Sequence, residues 1–155
     1  MAFLSSMNIT GSALTAQQLR LDVISENVAN INTTRVEGEV GPYQRKMVVM
    51  EADGGRDTFR QALAQAAGNV PGETYNLSES GGVRVTQIVE DTSPFKLQYD
   101  PSNPDANASG YVEMLNVDLV KEITDAMAAT QAFSANVTAF NTLKTVATRS
   151  LDIGK

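Results

Sequence analysis

The sequence predicts an α+β chain in which long N- and C-terminal helices pair as a coiled coil around a small β-rich middle domain. Two patterns predict it. Apolar residues recur at heptad spacing near both ends, and between them the signal changes to period two with turns marked by glycine and proline. A third observation is where charge is missing: residues 1–19 and 126–143 contain no Asp, Glu, Lys or Arg. A helix with one solvated face normally carries charge there, so cover on more than one side is expected. A thin middle domain cannot wrap both helices, which points to neighbouring chains. The plainer alternative is a helical hairpin with a solvated face rich in Ser, Thr and Asn.

The N-terminal unit, residues 1–33, reads as one helix from Phe3 to Ile31. Met7, Leu14, Leu21 and Val28 fall on one register, Phe3, Ile24 and Ile31 on the other, with Thr10 and Gln17 as polar breaks. Asn27, Asn30, Asn32 and Thr33 form an amide-rich run that ends the helix, because their side chains compete for backbone groups. They are expected to fix the turn by side-chain bonds to backbone and not through a ligand. Residues 34–115 form the middle domain, with strands at 43–50, 83–89, 95–99 and 111–115. A flexible, glycine-rich insertion near 52–80 includes a possible short helix over 59–67. Residues 116–155 read as a second helix, capped by Asp118 or Asn116 and stopped at Gly154. Ile123, Met127, Phe133, Val137, Phe140 and Leu151 lie along it, each three, four or seven residues from another member of an apolar set that Leu119, Val120 and Ala147 complete. They are expected to pack against Met7, Leu14, Leu21, Ile24, Val28 and Ile31, within the subunit and between neighbours.

Composition removes several function classes. A net charge of −6 supplies no basic field for a phosphate backbone, so nucleic-acid binding is not expected. The chain has no cysteine and no histidine, which removes thiolate metal sites, the commonest general base and the commonest metal ligand. Glu90 and Asp91, the acidic pair that could serve a glycan hydrolase, point to opposite faces of a strand. No enzyme activity, metal or cofactor is expected. Asp105, Asn107, Ser109 and Gly110 sit at positions 1, 3, 5 and 6 of a calcium-loop pattern, but Asn116 replaces the bidentate Glu and strands flank the segment. A turn joining two strands accounts for it. No run of about 20 apolar residues is present to insert in a membrane. The opening residues, broken by Ser5, Ser6, Asn8, Thr10, Gly11 and Ser12, do not fit a cleaved signal peptide.

The segments SENVANINTTRVEG (25–38) and GPYQRKMVVME (41–51) resemble the rod, hook and hook-associated axial proteins of the bacterial flagellum. The later segments SPFKLQYDPSNPDANASGYVEMLNVDLVKEITDA and NVTAFNTLKTVATRSLDIGK are similar to the proximal rod proteins among them. Arg35 stands where axial proteins often have Gly, and residues 52–80 read as longer than the family's usual connection. The resemblance implies a subunit of the basal-body rod that polymerises helically into a drive shaft carrying torque from motor to hook. It implies export through the flagellar type III apparatus into the periplasmic rod. The implied partners are copies of itself and other rod proteins, with the MS ring and distal rod as further neighbours. A secreted coiled-coil adhesin or effector, binding a partner through the middle domain, is the alternative.

Overall fold

A computed structural model describes residues 2–36, 41–53 and 81–153. Helix α1 spans Ala2–Ala29, strand β1 Lys46–Ala52, β2 Val83–Glu90, β3 Lys96–Tyr99, β4 Tyr111–Met114, and helix α2 Leu119–Ile153. The α+β architecture and both terminal helices match the sequence expectation. The short helix expected over 59–67, most of the 52–80 insertion and the stop at Gly154 lie outside the described residues.

At about 1.5 Å per residue the helices run roughly 42 Å and 52 Å. The N-cap of α2 is Asp118, whose Oδ1 accepts the Val120 amide at 2.9 Å while its carbonyl accepts the Glu122 amide at 3.0 Å. Two cross-links set the direction of pairing. Arg20 reaches Asp125 at 3.5 Å and Asn27 reaches Glu122 at 3.4 Å, so position falls along α1 as it rises along α2 and the helices run antiparallel. The Arg20–Asp125 level also aligns Ala16 with Ala129. Both are buried, and their small side chains let the backbones approach closely.

The middle domain is two separate two-stranded antiparallel sheets, β1–β2 and β3–β4. The β1–β2 ribbon lies along α1, with the start of β1 at Asn27 and the start of β2 at Ser12. Fifteen helical residues cover about 22 Å and seven strand residues about 23 Å, so ribbon and helix face match in length. Consequently α1 is covered from two sides, by α2 and by the chain's own ribbon, whereas among the described elements α2 packs along α1 alone, with Arg45 reaching its first turn. Among the described residues the strands therefore lie along one helix of the two, α1.

The buried positions include one of the expected seam residues, Ile24, and add smaller and polar ones. Buried positions on α1 are Ala16, Val23, Ile24 and Asn27; Met7, Leu14, Leu21, Val28 and Ile31 are half-buried. On α2 the buried positions are Glu122 and Ala129, and Phe133, Val137 and Phe140 are half-buried. Ile123, Met127 and Leu151 are exposed, so they lie off the intramolecular seam. A two-helix interface at close approach selects small residues and one paired polar position, which a search for large apolar repeats passes over by about one residue.

The β3–β4 hairpin carries a glycine that its geometry requires. Gly110 adopts φ +80°, and a Cβ there would stand 2.9 Å from the Tyr99 ring, itself edge-on to Tyr111 at 5.3 Å. Gly110→Ala is expected to destabilise the chain by about 1–3 kcal/mol, read by thermal unfolding, with the loss of the tyrosine pair visible in near-UV circular dichroism.

Candidate functional site

The most constrained group of side chains stands where α1, β1, β2 and α2 meet. Asn27, in the last turns of α1, is 1% exposed. Its Nδ2 donates to the Lys46 carbonyl at 2.8 Å and its Oδ1 accepts the Lys46 amide at 2.9 Å. The amide thus satisfies both backbone groups of the first residue of β1, as a neighbouring strand would. Glu122, also 1% exposed, takes the Arg45 guanidinium on Oε1, from Nη2 at 2.7 Å and Nε at 2.8 Å, and lies 3.4 Å from Asn27 Nδ2 through Oε2. The Arg45 carbonyl accepts the Asp91 amide at 2.7 Å, and Nη1 lies 3.4 Å from Asp91 Oδ2. A buried carboxylate survives only when paired and hydrogen-bonded, and Arg45 supplies that compensation.

The rest of the amide-rich run makes local bonds. Asn30 Nδ2 donates to the Glu26 carbonyl at 2.9 Å, Thr33 Oγ1 to Asn30 Oδ1 at 3.1 Å, and Asn32 is exposed. Thr34 Oγ1 donates to Asp105 Oδ2 at 2.8 Å, joining the linker after α1 to the β3–β4 loop. In that loop Asn107 Oδ1 accepts the amides of Ser109 at 2.9 Å and Tyr111 at 3.0 Å, so the oxygens of the calcium-like spacing serve turns. Among the described residues no group of acidic side chains is arranged to hold a metal ion. A groove of about 440 Å³ opens between α1, β1 and α2, but the joint's polar groups that line it are engaged with one another.

Glu90 and Asp91 also have structural partners. Glu90 stands opposite Lys46 in the ladder, and Asp91 Oδ1 accepts the Ser93 hydroxyl at 2.6 Å and the Ser93 amide at 2.9 Å. Those two bonds, and secondarily the Arg45 charge, hold the Asp91 carboxyl below its ordinary value. Arg45 and Glu122 escaped the sequence reading, because an ion pair between residues 77 apart has no local signature. The one available signal is spacing: Glu122 falls seven residues before Ala129 and fourteen before Asn136, on the inward register.

A second candidate surface is the exposed side of α2. Val120, Ile123 and Met127, exposed by 72%, 49% and 68%, recur at i, i+3 and i+7 and so form one apolar face. Leu151 and Val146 continue apolar exposure toward the far end.

Removing one partner from the joint leaves a buried charge behind. Glu122→Leu should cost roughly 3–5 kcal/mol in denaturant unfolding, and adding Arg45→Met should restore most of it. Asp91 gives a pH signature. Its folded pKa is depressed, so its contribution is present above the unfolded value of about 3.9 and is lost as pH falls through the folded one. Asp91→Asn should therefore flatten part of the acid limb of stability below about pH 4, measured by thermal unfolding against pH.

Residues 7–35 match the family described as flagella basal body rod protein, and residues 108–153 the family described as flagellar basal body rod FlgEFG protein C-terminal. These two stretches hold most of α1 with its amide run, and α2 with β4. Curated relatives cover nearly the whole chain. The flagellar basal-body rod protein FlgC of Bacillus subtilis is 47% identical over 97% of both chains. The protein of the same name from Borreliella burgdorferi is 38% identical over 99% of this chain and 98% of its own, and that from Salmonella typhimurium is 37% identical over 100% of each. The alternative of a secreted adhesin or effector finds no support among them. Identity at this level along the full length of both chains establishes that the protein belongs to the flagellar basal-body rod protein family.

Proposed function

We propose that this structural subunit of the basal-body rod polymerises helically in the proximal rod, where the stacked subunits form a shaft that transmits torque from motor to hook. The observation that carries the reading is the uncovered apolar face of α2 at Val120, Ile123 and Met127, on a helix about 52 Å long whose other side is fixed to α1. An exposed apolar helix face marks a protein contact, and here the occupant is a helix of an adjacent axial subunit. Torque must pass between subunits without slip. Many interlocked apolar contacts resist shear, because each buried side chain contributes about 1.5–3 kcal/mol and close packing blocks sliding.

In this reading residues 1–33 and 116–155 are the axial parts and residues 34–115 the outer part. Exposed Ile123, Met127 and Leu151 make contacts between subunits, and half-buried Met7, Leu14, Leu21, Phe133 and Phe140 are shared between the subunit's own pair and its neighbours. Partners are copies of the chain and other rod proteins, with the MS ring and distal rod at the ends of the stack. The chain reaches the periplasmic rod through the flagellar type III export apparatus without signal cleavage. A chain without cysteine meets no thiol chemistry on that route. Its role involves no catalytic step, and Asp91 and Glu90 serve the fold.

Ile123→Asp and Met127→Asp test the reading, since both side chains are exposed in the single subunit. Each should change unfolding stability by no more than about 0.5 kcal/mol. Each should also abolish swimming and leave basal bodies without a complete rod. Normal swimming with intact rods in both variants would assign the face wrongly.

A further inference from the structure

A second groove, of about 350 Å³, opens between α1 and the Lys46–Glu90 end of the β1–β2 ribbon. Leu19 and Val23 of α1 and Ile88 of β2 give it an apolar lining, with Ile88 48% exposed. Asp22, Glu26 and Glu90 bring three carboxylates to the same groove. The one cation among its described lining residues, Lys46, is taken by Glu26, with Nζ 3.3 Å from Oε2. Asp22 Oδ1 accepts a hydrogen bond from the Gln18 side-chain amide at 3.0 Å, and neither Asp22 nor Glu90 has an ion-pair partner among the described residues. The groove therefore keeps a net negative charge. Its character also changes along α1, from Leu19 to Glu26, a distance of about 10 Å.

The complementary pattern lies at the other end of the helix pair. Lys144 and Leu151, seven residues apart, share a face of α2 at the same spacing of about 10 Å. Both are exposed, Leu151 by 75%, and Lys144 has no acidic partner among the described residues. Leu151 also falls five turns after half-buried Phe133, so it continues the register that packs on α1 and is nevertheless bare. Arg149 and Asp152 fall on other faces of the helix. From Asp125, which stands beside Arg20, to Leu151 is roughly 39 Å of helix. One chain cannot bring the end of its own α2 to its own groove, so the two surfaces meet only between copies.

We propose that the far end of α2 docks in this groove on a second copy of the chain, with Leu151 against Leu19 and Ile88 and the Lys144 ammonium among Asp22, Glu26 and Glu90. The contact deepens the rod reading above and rests on it, since it names the surface that exposed Leu151 meets. Apolar burial supplies the affinity, and the charges set direction and register. With Lys144 at the Glu26 end and Leu151 at the Leu19 end, the incoming α2 runs antiparallel to the α1 it meets, as it does to its own. Different patches meet in this head-to-tail contact, so it does not close on itself and passes from copy to copy.

Cells carrying Leu19→Cys with Leu151→Cys test the contact, because the chain has no cysteine of its own. Within one chain the two positions are roughly 40 Å apart, far beyond the reach of a disulfide. Oxidation of purified rods should therefore join copies into dimers and longer ladders, and either cysteine alone should give no more than a dimer. A charge exchange supplies a second readout. Lys144→Glu and Asp22→Lys, both at exposed positions, should each lower swimming by about tenfold or more with the unfolding temperature unchanged, and the two together should restore it. Asp22 is the residue to change because Glu26 and Glu90 face Lys46 in their own chain. Cysteine variants present in rods without ladders, or a double charge variant that swims no better than the single ones, overturn the contact and leave the rod reading in place. Rescue of Lys144→Glu by a charge change in a different rod protein, and not by Asp22→Lys, overturns the second copy as occupant. Absence of the unmodified chain from purified rods sinks the rod reading itself.

Discussion

Two paired helices share only one mutual face, and every other feature of this chain follows from how the remaining faces are covered. The seam between α1 and α2 is narrow, with Ala16 and Ala129 at its centre and Phe133, Val137 and Phe140 only half-buried. The β1–β2 ribbon then covers a second face of α1. Nothing within the described residues does the same for α2, and its Val120, Ile123 and Met127 stand in solvent. Hydrophobic surface left in this state favours association, and it is there that the proposed contact between subunits falls.

The buried joint makes that arrangement rigid where it needs to be. Asn27, Arg45, Glu122 and Asp91 come from four separate parts of the fold, and each satisfies a group that another leaves open. Because an unpaired buried carboxylate is costly, the start of α2, the root of the ribbon and the end of α1 are fixed together. In the proposed rod, load on the two helices would reach the middle domain through this compact set of bonds, the Arg45 contacts among them charge-assisted. Gln17 Oε1, buried on α1 and without a hydrogen-bond partner among the described residues, shows the opposite case: a polar group whose burial the single chain does not compensate.

The helices were legible because heptad periodicity is a local property, and the strands because alternation and glycine-marked turns are local too. The two ends of α1 and the Asp118 cap of α2 fall where propensity and capping chemistry place them. The register was less legible. Met7, Leu14, Leu21 and Val28 draw attention by size, yet tight pairing of two helices uses Ala16 and Ala129. The joint was hidden for a different reason. Asn27 was recognisable as an amide that binds backbone, but its target is Lys46, nineteen residues away on a strand, and Glu122 resembles a solvated charge until Arg45 is folded against it. Long-range pairing leaves no periodic trace, whereas the family-like segments and the missing charge are local features of the sequence.

Electron cryomicroscopy of purified basal bodies, at a resolution that separates side chains, tests the central claim most directly. The account predicts this chain in the rod with Val120, Ile123 and Met127 packed against a helix of an adjacent subunit, and with the Arg45–Glu122 joint intact. Density showing that face of α2 open to solvent within an assembled rod would contradict it.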